Sequence, residues 1–511
     1  MFKPIMVLMS GRVASFVATF FIPVVLVRIF TPAEFGAYKQ VFLVYMTLYG
    51  IAQMGMAESL FYFLPRAPQN AGRYVMNSIL MLLAAGLICL GLLIKESAKI
   101  AALLGNGSLV EYIPLLGLYL LLMITSATLE IGMISRKKYS WAAITYASSD
   151  MLRAGLLVAP ALLFRDLHWL LLGAVAFAIV RFAATLFYFH RQFQDEFKLD
   201  GHLLREQIAY ALPFEMAVLV DILQSNFHQY AVSHYFDAAT FAIYSVGCLQ
   251  IPLVDLMASP ASNVMMVQMS EEIGEGRGDR VISIWRETTR KLSLVFFPLF
   301  GLMLVTARDV IVFLFTAGYT ASIPIFMVWS ATILFAVFQT DGVLRVYAQT
   351  RLILGLGIVR LIAIAGLIYV CLHAFGLLGA VLVTMVALAL GKGLALFKMK
   401  ALMQAKASEL LPWRILGSIA VITIAASLVA VGVRSTLDVP VLLRLMIVGV
   451  VFASSYIAML LGLGLLNAEE KVALTSWLQK FAPQNKGVAD VESVNEVEAI
   501  KGGREGAESL E

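Results

Sequence analysis

Apolar runs of about twenty residues recur along most of the chain, separated by short polar breaks. Each is long enough to cross a hydrocarbon core about 30 Å thick as an α-helix. The pattern predicts about fourteen spanning helices, near 8–30, 38–63, 75–94, 111–134, 141–164, 168–190, 209–235, 240–268, 290–307, 323–348, 352–373, 376–398, 412–433 and 440–466, with ends good to a few residues. The connections are short. The longest, 269–289, carries "SEEIGEGRGDR" and predicts a polar, mobile loop. Residues 406–483 hold the last two spans and a short amphipathic segment, and 484–511 read as a disordered acidic tail.

A repeat overlies this pattern. The break "RIFTPAEFGAYKQV" at 28–41 is echoed by "HYFDAATFAIYSVG" at 234–247. Phe30, Ala33, Phe35 and Tyr38 recur as Phe236, Ala239, Phe241 and Tyr244, each 206 residues on. "LLGAV" at 171–175 returns at 377–381 with the same offset of 206. Two distant matches in one register predict two six-helix halves, 1–200 and 201–405. An even helix number per half makes the repeats parallel. The expected fold is an all-α integral membrane protein, two parallel repeats plus two C-terminal helices. Each motif is then the outward hairpin joining the first two helices of its half.

Composition sharpens this. The chain is 60% hydrophobic and 14% charged, where a soluble domain carries about a quarter charged residues. The net charge of +5 points to topology rather than nucleic acid, because the basic residues sit between spans. Alternate connections hold Arg66 and Arg73; Arg136, Lys137 and Lys138; Arg191, Lys198 and Arg205; Arg277 to Lys291; Arg351; and Lys398 to Arg414. The positive-inside rule makes those connections, and both termini, cytoplasmic. Cys89, Cys248 and Cys371 lie in apolar runs without ligand spacing, so neither metal nor disulfide is expected. The first run lacks a small-residue cleavage site, so no cleavable signal is expected. No Gly-rich phosphate loop or HExxH stands in the chain, and no cofactor is expected.

"TPAEFGAYKQVFLVYMTLYGIAQMGMAESLFYFLPR" resembles the start of Wzx-type polysaccharide transporters, the O-antigen and exopolysaccharide flippases. These belong to the multidrug/oligosaccharidyl-lipid/polysaccharide exporter superfamily. "ARDVIVFLFTAGYTASIPIFMVW" is similar to the segment leading into that family's tenth helix. The resemblance covers roughly 5–465. It implies a flippase carrying undecaprenyl-pyrophosphate-linked oligosaccharide across the bacterial inner membrane by alternating access, not an enzyme. Membrane lipids, a polysaccharide polymerase and a chain-length regulator are the candidate partners. A cation-coupled multidrug exporter and a lipid II flippase are the alternatives within the superfamily. The Arg-Asp pattern associated with the lipid II flippase's first helix is replaced by "SGRVASFVATFF". A membrane polymerase or ligase would need a sizeable extramembrane loop, which the short connections do not supply.

A flippase needs a polar lumen, and intramembrane charges are costly enough to mark one. In the seventh span Asp221, Gln224, Ser225 and His228 share one helix face, as a lumen stripe or an interhelical seam. Arg12, Ser15 and Thr19 form a matching stripe on the first span. The eighth carries Asp255, Ser259 and Ser262, and the second has Gln53 at the repeat position matching Ser259; Glu58 lies nearer the cytoplasmic end, as a lumen or an interfacial charge. Asp150 with Arg153, and Asp341 with Arg345, are spaced to neutralise within one helix. Arg360 has no acid at helical spacing, so its partner is a lipid phosphate, a pyrophosphate or another helix; Arg12, near the cytoplasmic mouth, is a pyrophosphate contact or a headgroup anchor. Arg181 and Lys392 are further candidate lumen charges, or else snorkelling or paired cations. Asp221, Asp255 and His228 are candidates for proton or sodium coupling.

Overall fold

The computed structural model describes residues 2–467 and 470–471; the acidic tail and the end of the amphipathic segment lie outside them. Every regular element among the described residues is helical. The first nine α-helices are α1 Phe2–Leu26, α2 Pro32–Ala52, α3 Met56–Arg66, α4 Ala71–Lys95, α5 Ser97–Leu103, α6 Ile113–Thr125, α7 Thr128–Ser135, α8 Tyr139–Phe164 and α9 Leu167–Phe193. Next come α10 Gly201–Tyr235, α11 Ala238–Gly247, α12 Pro252–Gly274, α13 Gly278–Phe315, α14 Ile323–Trp329, α15 Thr332–Ala336, α16 Thr340–Val346, α17 Thr350–Phe375 and α18 Leu377–Leu402. The short α19 Ala407–Leu410 precedes α20 Trp413–Thr436 and α21 Val441–Gly462.

Eleven helical runs among the described residues are long and apolar enough to cross a membrane, or twelve if the pair α11–α12, bent by 49°, is one span. The expected count of about fourteen is not reached on that measure. The segment at 38–63 is cut into α2 and α3 by a turn in which Met54 and Gly55 both take positive φ. The segment at 209–235 lies in α10, whose 35 residues include Arg205, Glu206, Glu215 and Asp221.

Two further expectations change. The loop expected at 269–289 is nearly all helix: α12 runs to Gly274 and α13 restarts at Gly278. Its charges pair locally, Arg277 with Glu272 and Glu275, and Arg280 with Glu272 at 3.7 Å. At 38 residues α13 is about 57 Å long, well beyond a bilayer's thickness. The span expected at 323–348 is present within the run Ala317–Val346, but broken into three short helices, α14 to α16. Ser330 Oγ donates to the Phe326 carbonyl at 2.7 Å, at the first break. Ser126 bonds back to Leu122 in the same way where α6 gives way to α7. Such i−4 back-bonding competes with the helix ladder and favours a bend.

Packing follows the 206-residue register. Helix α1 lies on α8 and α10 on α17; α8 lies on α9 and α17 on α18. The two motif copies begin alike. Thr31 Oγ1 caps α2 through the Glu34 N–H at 3.4 Å, and Asp237 Oδ1 caps α11 through the Thr240 N–H at 2.7 Å. The Thr240 N–H also holds the Asp237 carboxyl below its ordinary value. The copies then meet: α2 packs against α11 so closely that a Cβ on Gly36 would stand 1.8 Å from the Ala238 carbonyl oxygen. Beside them Arg28 donates to the carbonyls of Leu314 at 2.7 Å and Phe313 at 2.5 Å, at the end of α13.

At the opposite membrane face, the N-terminus of α10 is tied to α3 and α4. Asp200 caps α10 and pairs with Arg73 at 3.1 Å, while Asn77 and the Asp200 backbone exchange hydrogen bonds at 2.9 and 3.0 Å. Gln207 Nε2 reaches the hydroxyls of Ser59 and Ser78, both at 3.1 Å.

Candidate functional site

Two groups of intramembrane charge emerge. The first is shared by α1, α7, α8 and α9. Ser15 donates to Asp150, which pairs with Arg153 at 3.1 Å. Arg181 pairs with Glu130 at 2.7 Å and also donates to Ser149. Glu130 is only 3% exposed, so without Arg181 it would be a buried, unpaired carboxylate. The Asp150–Arg153 pair expected from spacing is formed; Glu130 is the residue that spacing arguments passed over. It stands in "SATLEIG", inside the fourth apolar run, so the rule that flagged Arg181 applied to it equally.

The first helix places its stripe accordingly. A Cβ on Gly11 would fall 2.5 Å from the Ala143 carbonyl oxygen, so α1 sits hard against α8. Arg12 is exposed, its guanidinium 5.4 Å from the Tyr146 ring centre, a cation–π contact. Thr19 Oγ1 bonds back to its own helix at Ser15 and Phe16, 3.2 and 3.1 Å away. Gln53, which ends α2, likewise bonds back to Tyr49 at 3.3 Å, and Glu58 is exposed.

The second group surrounds a cavity of about 280 Å³ between α10, α12, α14, α15, α17 and α18. Gln224, Ser225, Asp255 and Arg360 all line it, with Gln250 and Trp329 beside them. Asp221 stands one turn from Gln224, whose Nε2 donates to it at 2.7 Å. The Gln224 Oε1 is buried with no partner among the described residues. His228 is withdrawn: it is 1% exposed, 2.6 Å from the Tyr244 hydroxyl and packed on Trp329. Ser259 is exposed outside the cavity, and Ser262 packs on α16, 2.8 Å from where a Cβ on Gly342 would be.

Arg360 differs from the cations of the first group. Its Nε is buried and unpartnered, and no carboxylate pairs with it among the described residues. Its stem passes Gly391, where a Cβ would lie 2.6 Å from its Cδ, so glycine on α18 makes room for the guanidinium. Lys392, the next residue, is tethered to the Phe338 carbonyl at 3.0 Å and Thr340 Oγ1 at 3.1 Å. It interacts electrostatically with Asp341, Arg360 and Asp221. The Asp341–Arg345 pair expected from spacing does not form: the break before α16 turns Asp341 toward Thr340, 3.2 Å away, and the Lys392 charge. The cavity therefore offers an uncommitted guanidinium, amide and hydroxyl donors, and the carboxylate of Asp255.

Known proteins agree with this architecture. The chain is similar over 88% of its length, and 98% of the other's, to the lipid II flippase MurJ in an inward closed conformation, with TM-score 0.68 and 13% identity. A multidrug resistance MATE family transporter of the MOP superfamily, inward-facing, matches with TM-score 0.57 and 15% identity over 77% of this chain and 96% of that one. A MOP superfamily transporter from Pyrococcus furiosus Vc1 (DSM3638) matches with TM-score 0.52 and 14% identity over 78% and 95%. At such identities the likeness is one of fold, and the fold is that of a multi-pass membrane protein. No curated protein sequence matches. A family model described as polysaccharide biosynthesis protein matches residues 25–324, more than half of the chain. The chain belongs to the polysaccharide biosynthesis protein family.

Proposed function

We propose that this protein is a flippase that carries an undecaprenyl-pyrophosphate-linked oligosaccharide across the bacterial inner membrane, for O-antigen, capsule or exopolysaccharide synthesis. The observation that carries the reading is Arg360, a guanidinium without a carboxylate partner at the wall of an intramembrane cavity. Arg360 is half-buried with its Nε enclosed, and a phosphate oxyanion would offset the cost of that unpaired charge through charge-assisted, bidentate hydrogen bonds. Gln224, Ser225 and Gln250 add the donors and acceptors that sugar hydroxyls need. Family membership supports a polysaccharide substrate, and the fold shared with MurJ and MATE transporters supports translocation.

In this reading the hairpins at Phe35 and Phe241 face the periplasm and both termini the cytoplasm, as the basic connections require. The contact of Gly36 with Ala238 then closes the periplasmic side. Alternating access parts that contact while helices α1–α9 rock against α10–α18. Asp221 and Asp255 are the better candidates for proton or sodium coupling, since His228 is sealed against Tyr244. Arg12 is the candidate for first contact with the pyrophosphate. A polymerase and a chain-length regulator are its proposed partners.

The test is translocation in vesicles holding only the full chain and a fluorescent undecaprenyl-pyrophosphate oligosaccharide. Movement between leaflets that depends on the protein and on Arg360 supports the reading. Movement of lipid II or of a cationic drug, with none of the oligosaccharide, replaces it with an alternative of the same superfamily. Sugar transfer by the purified chain would make it an enzyme.

A further inference from the structure

A larger cleft lies away from this site, between α8 and α9 and floored by α7, with a volume of about 720 Å³. Its walls are helix faces: Trp141, Thr145, Ser148 and Leu152 on α8, and Phe177 to Gln192 on α9. From Arg191 to Phe177 it spans about 20 Å along α9 at 1.5 Å per residue, more than the roughly 15 Å depth of one leaflet's hydrocarbon. The deep part is apolar apart from Ser148, Ser149, Thr145 and Arg181, and Arg181 is committed to Glu130.

One end is different. Lys138, at the turn between α7 and α8, and Arg191, in the last turn of α9, line the mouth of the cleft. Lys138 Nζ donates to Gln192 and stands 5.5 Å from the Tyr188 ring, spending part of its hydrogen-bonding capacity. Arg191 is exposed and has no acidic partner among the described residues. The Tyr188 hydroxyl, on the wall below, is buried without a partner. Arg136 and Lys137 flank the same turn. The cleft thus has cations at headgroup level, a free hydroxyl just beneath, and an apolar slot flanked by the exposed rings of Trp141 and Phe187.

We propose that this cleft holds an anionic phospholipid, its phosphate on Lys138 and Arg191 and an acyl chain along Trp141, Leu152, Val180 and Phe187. Basic pockets between transmembrane helices bind anionic headgroups in this way. The site is independent of the substrate cavity, since the two share no lining residue. In the orientation proposed above it faces the cytoplasmic leaflet. It touches the Arg181–Glu130 pair, so an acyl chain there also shields that pair from water.

Trp141, 64% exposed at the cleft, is the reporter. The full chain is reconstituted in phosphatidylcholine vesicles containing either dibrominated phosphatidylglycerol or dibrominated phosphatidylcholine at equal mole fraction. The quenching lost on Trp141→Phe isolates this residue's signal. Apparent affinity for the brominated phosphatidylglycerol should exceed that for the brominated phosphatidylcholine by about thirtyfold, the order expected of two basic side chains near a surface. The Lys138→Gln/Arg191→Gln variant should bring the ratio toward one at unchanged insertion. Equal quenching by the two lipids in the parent chain overturns the proposal without recourse to any variant. Displacement of brominated phosphatidylglycerol by stoichiometric undecaprenyl pyrophosphate also overturns it, making the cleft a substrate site.

Discussion

The two charged groups inside the membrane are built from the same residue types and solve the cost of burial in opposite ways. Around α8 and α9, Asp150, Arg153, Glu130 and Arg181 neutralise one another. Around α17 and α18, Arg360 keeps no carboxylate and Lys392 is held by a carbonyl and a hydroxyl. An intramembrane charge therefore marks a functional site only after its partners are counted. In the reading proposed above, the first group carries structure and the second leaves charge available to a ligand.

The largest expected effect tests the first half of that contrast. Arg181→Leu strands Glu130 and should cost about 3–5 kcal/mol, seen as a lower unfolding temperature and lower folded yield. Adding Glu130→Leu should recover most of the loss. A single substitution that leaves unfolding unchanged would erase the distinction between the groups. Arg360→Gln should do the reverse, leaving abundance intact while translocation falls at least about tenfold, the order of a lost charged hydrogen bond. Normal flipping by that variant removes the phosphate role. Gly36→Val acts where the two motif copies meet, on α2 and α11, and should cost about 1–3 kcal/mol from overpacking, read by the same unfolding measurement. Asp221→Asn keeps shape and some hydrogen bonding, so it should lower translocation severalfold without loss of folded protein. Full activity there would make Asp221 a seam residue.

The smallest effect is a pH dependence. The Leu203 N–H, then the Arg73 guanidinium and the His202 N–H, hold the Asp200 carboxyl below its ordinary value. A depressed carboxyl stabilises the folded state above its unfolded pKa, near 3.9, and that contribution fades as pH falls through the folded value. Unfolding measured from neutral to strongly acid pH should lose this component in Asp200→Asn, with other residues' titrations unchanged.

Apolar runs made the membrane class and most helices legible, and the 206-residue register made equivalent helix pairs legible. Broken helices were not. The stretch 323–338 is apolar apart from Ser330 and Thr332, so hydropathy does not register Ser330 bonding back to Phe326. The polar α10 shows the converse: its one-face stripe was readable, but whether each residue faced the cavity was not. Gln224 and Ser225 do, while Tyr244, from a different helix, draws His228 away. Arg360 was readable as a cation without a partner because no acid stood at helical spacing. The space for it comes from Gly391 on another helix, which no local pattern reveals.

In the alternating-access cycle proposed above, the contact of Gly36 with the Ala238 carbonyl has a kinetic consequence. Two backbones touching without an intervening side chain cannot slide apart gradually while a flexible group stretches to keep the join. The join is whole or lost, so opening should behave as a single activated step with few half-open intermediates. Because the two surfaces in contact carry the two copies of the repeated motif, a change in either copy alters the same barrier. In that reading the height of the barrier is fixed jointly by both copies.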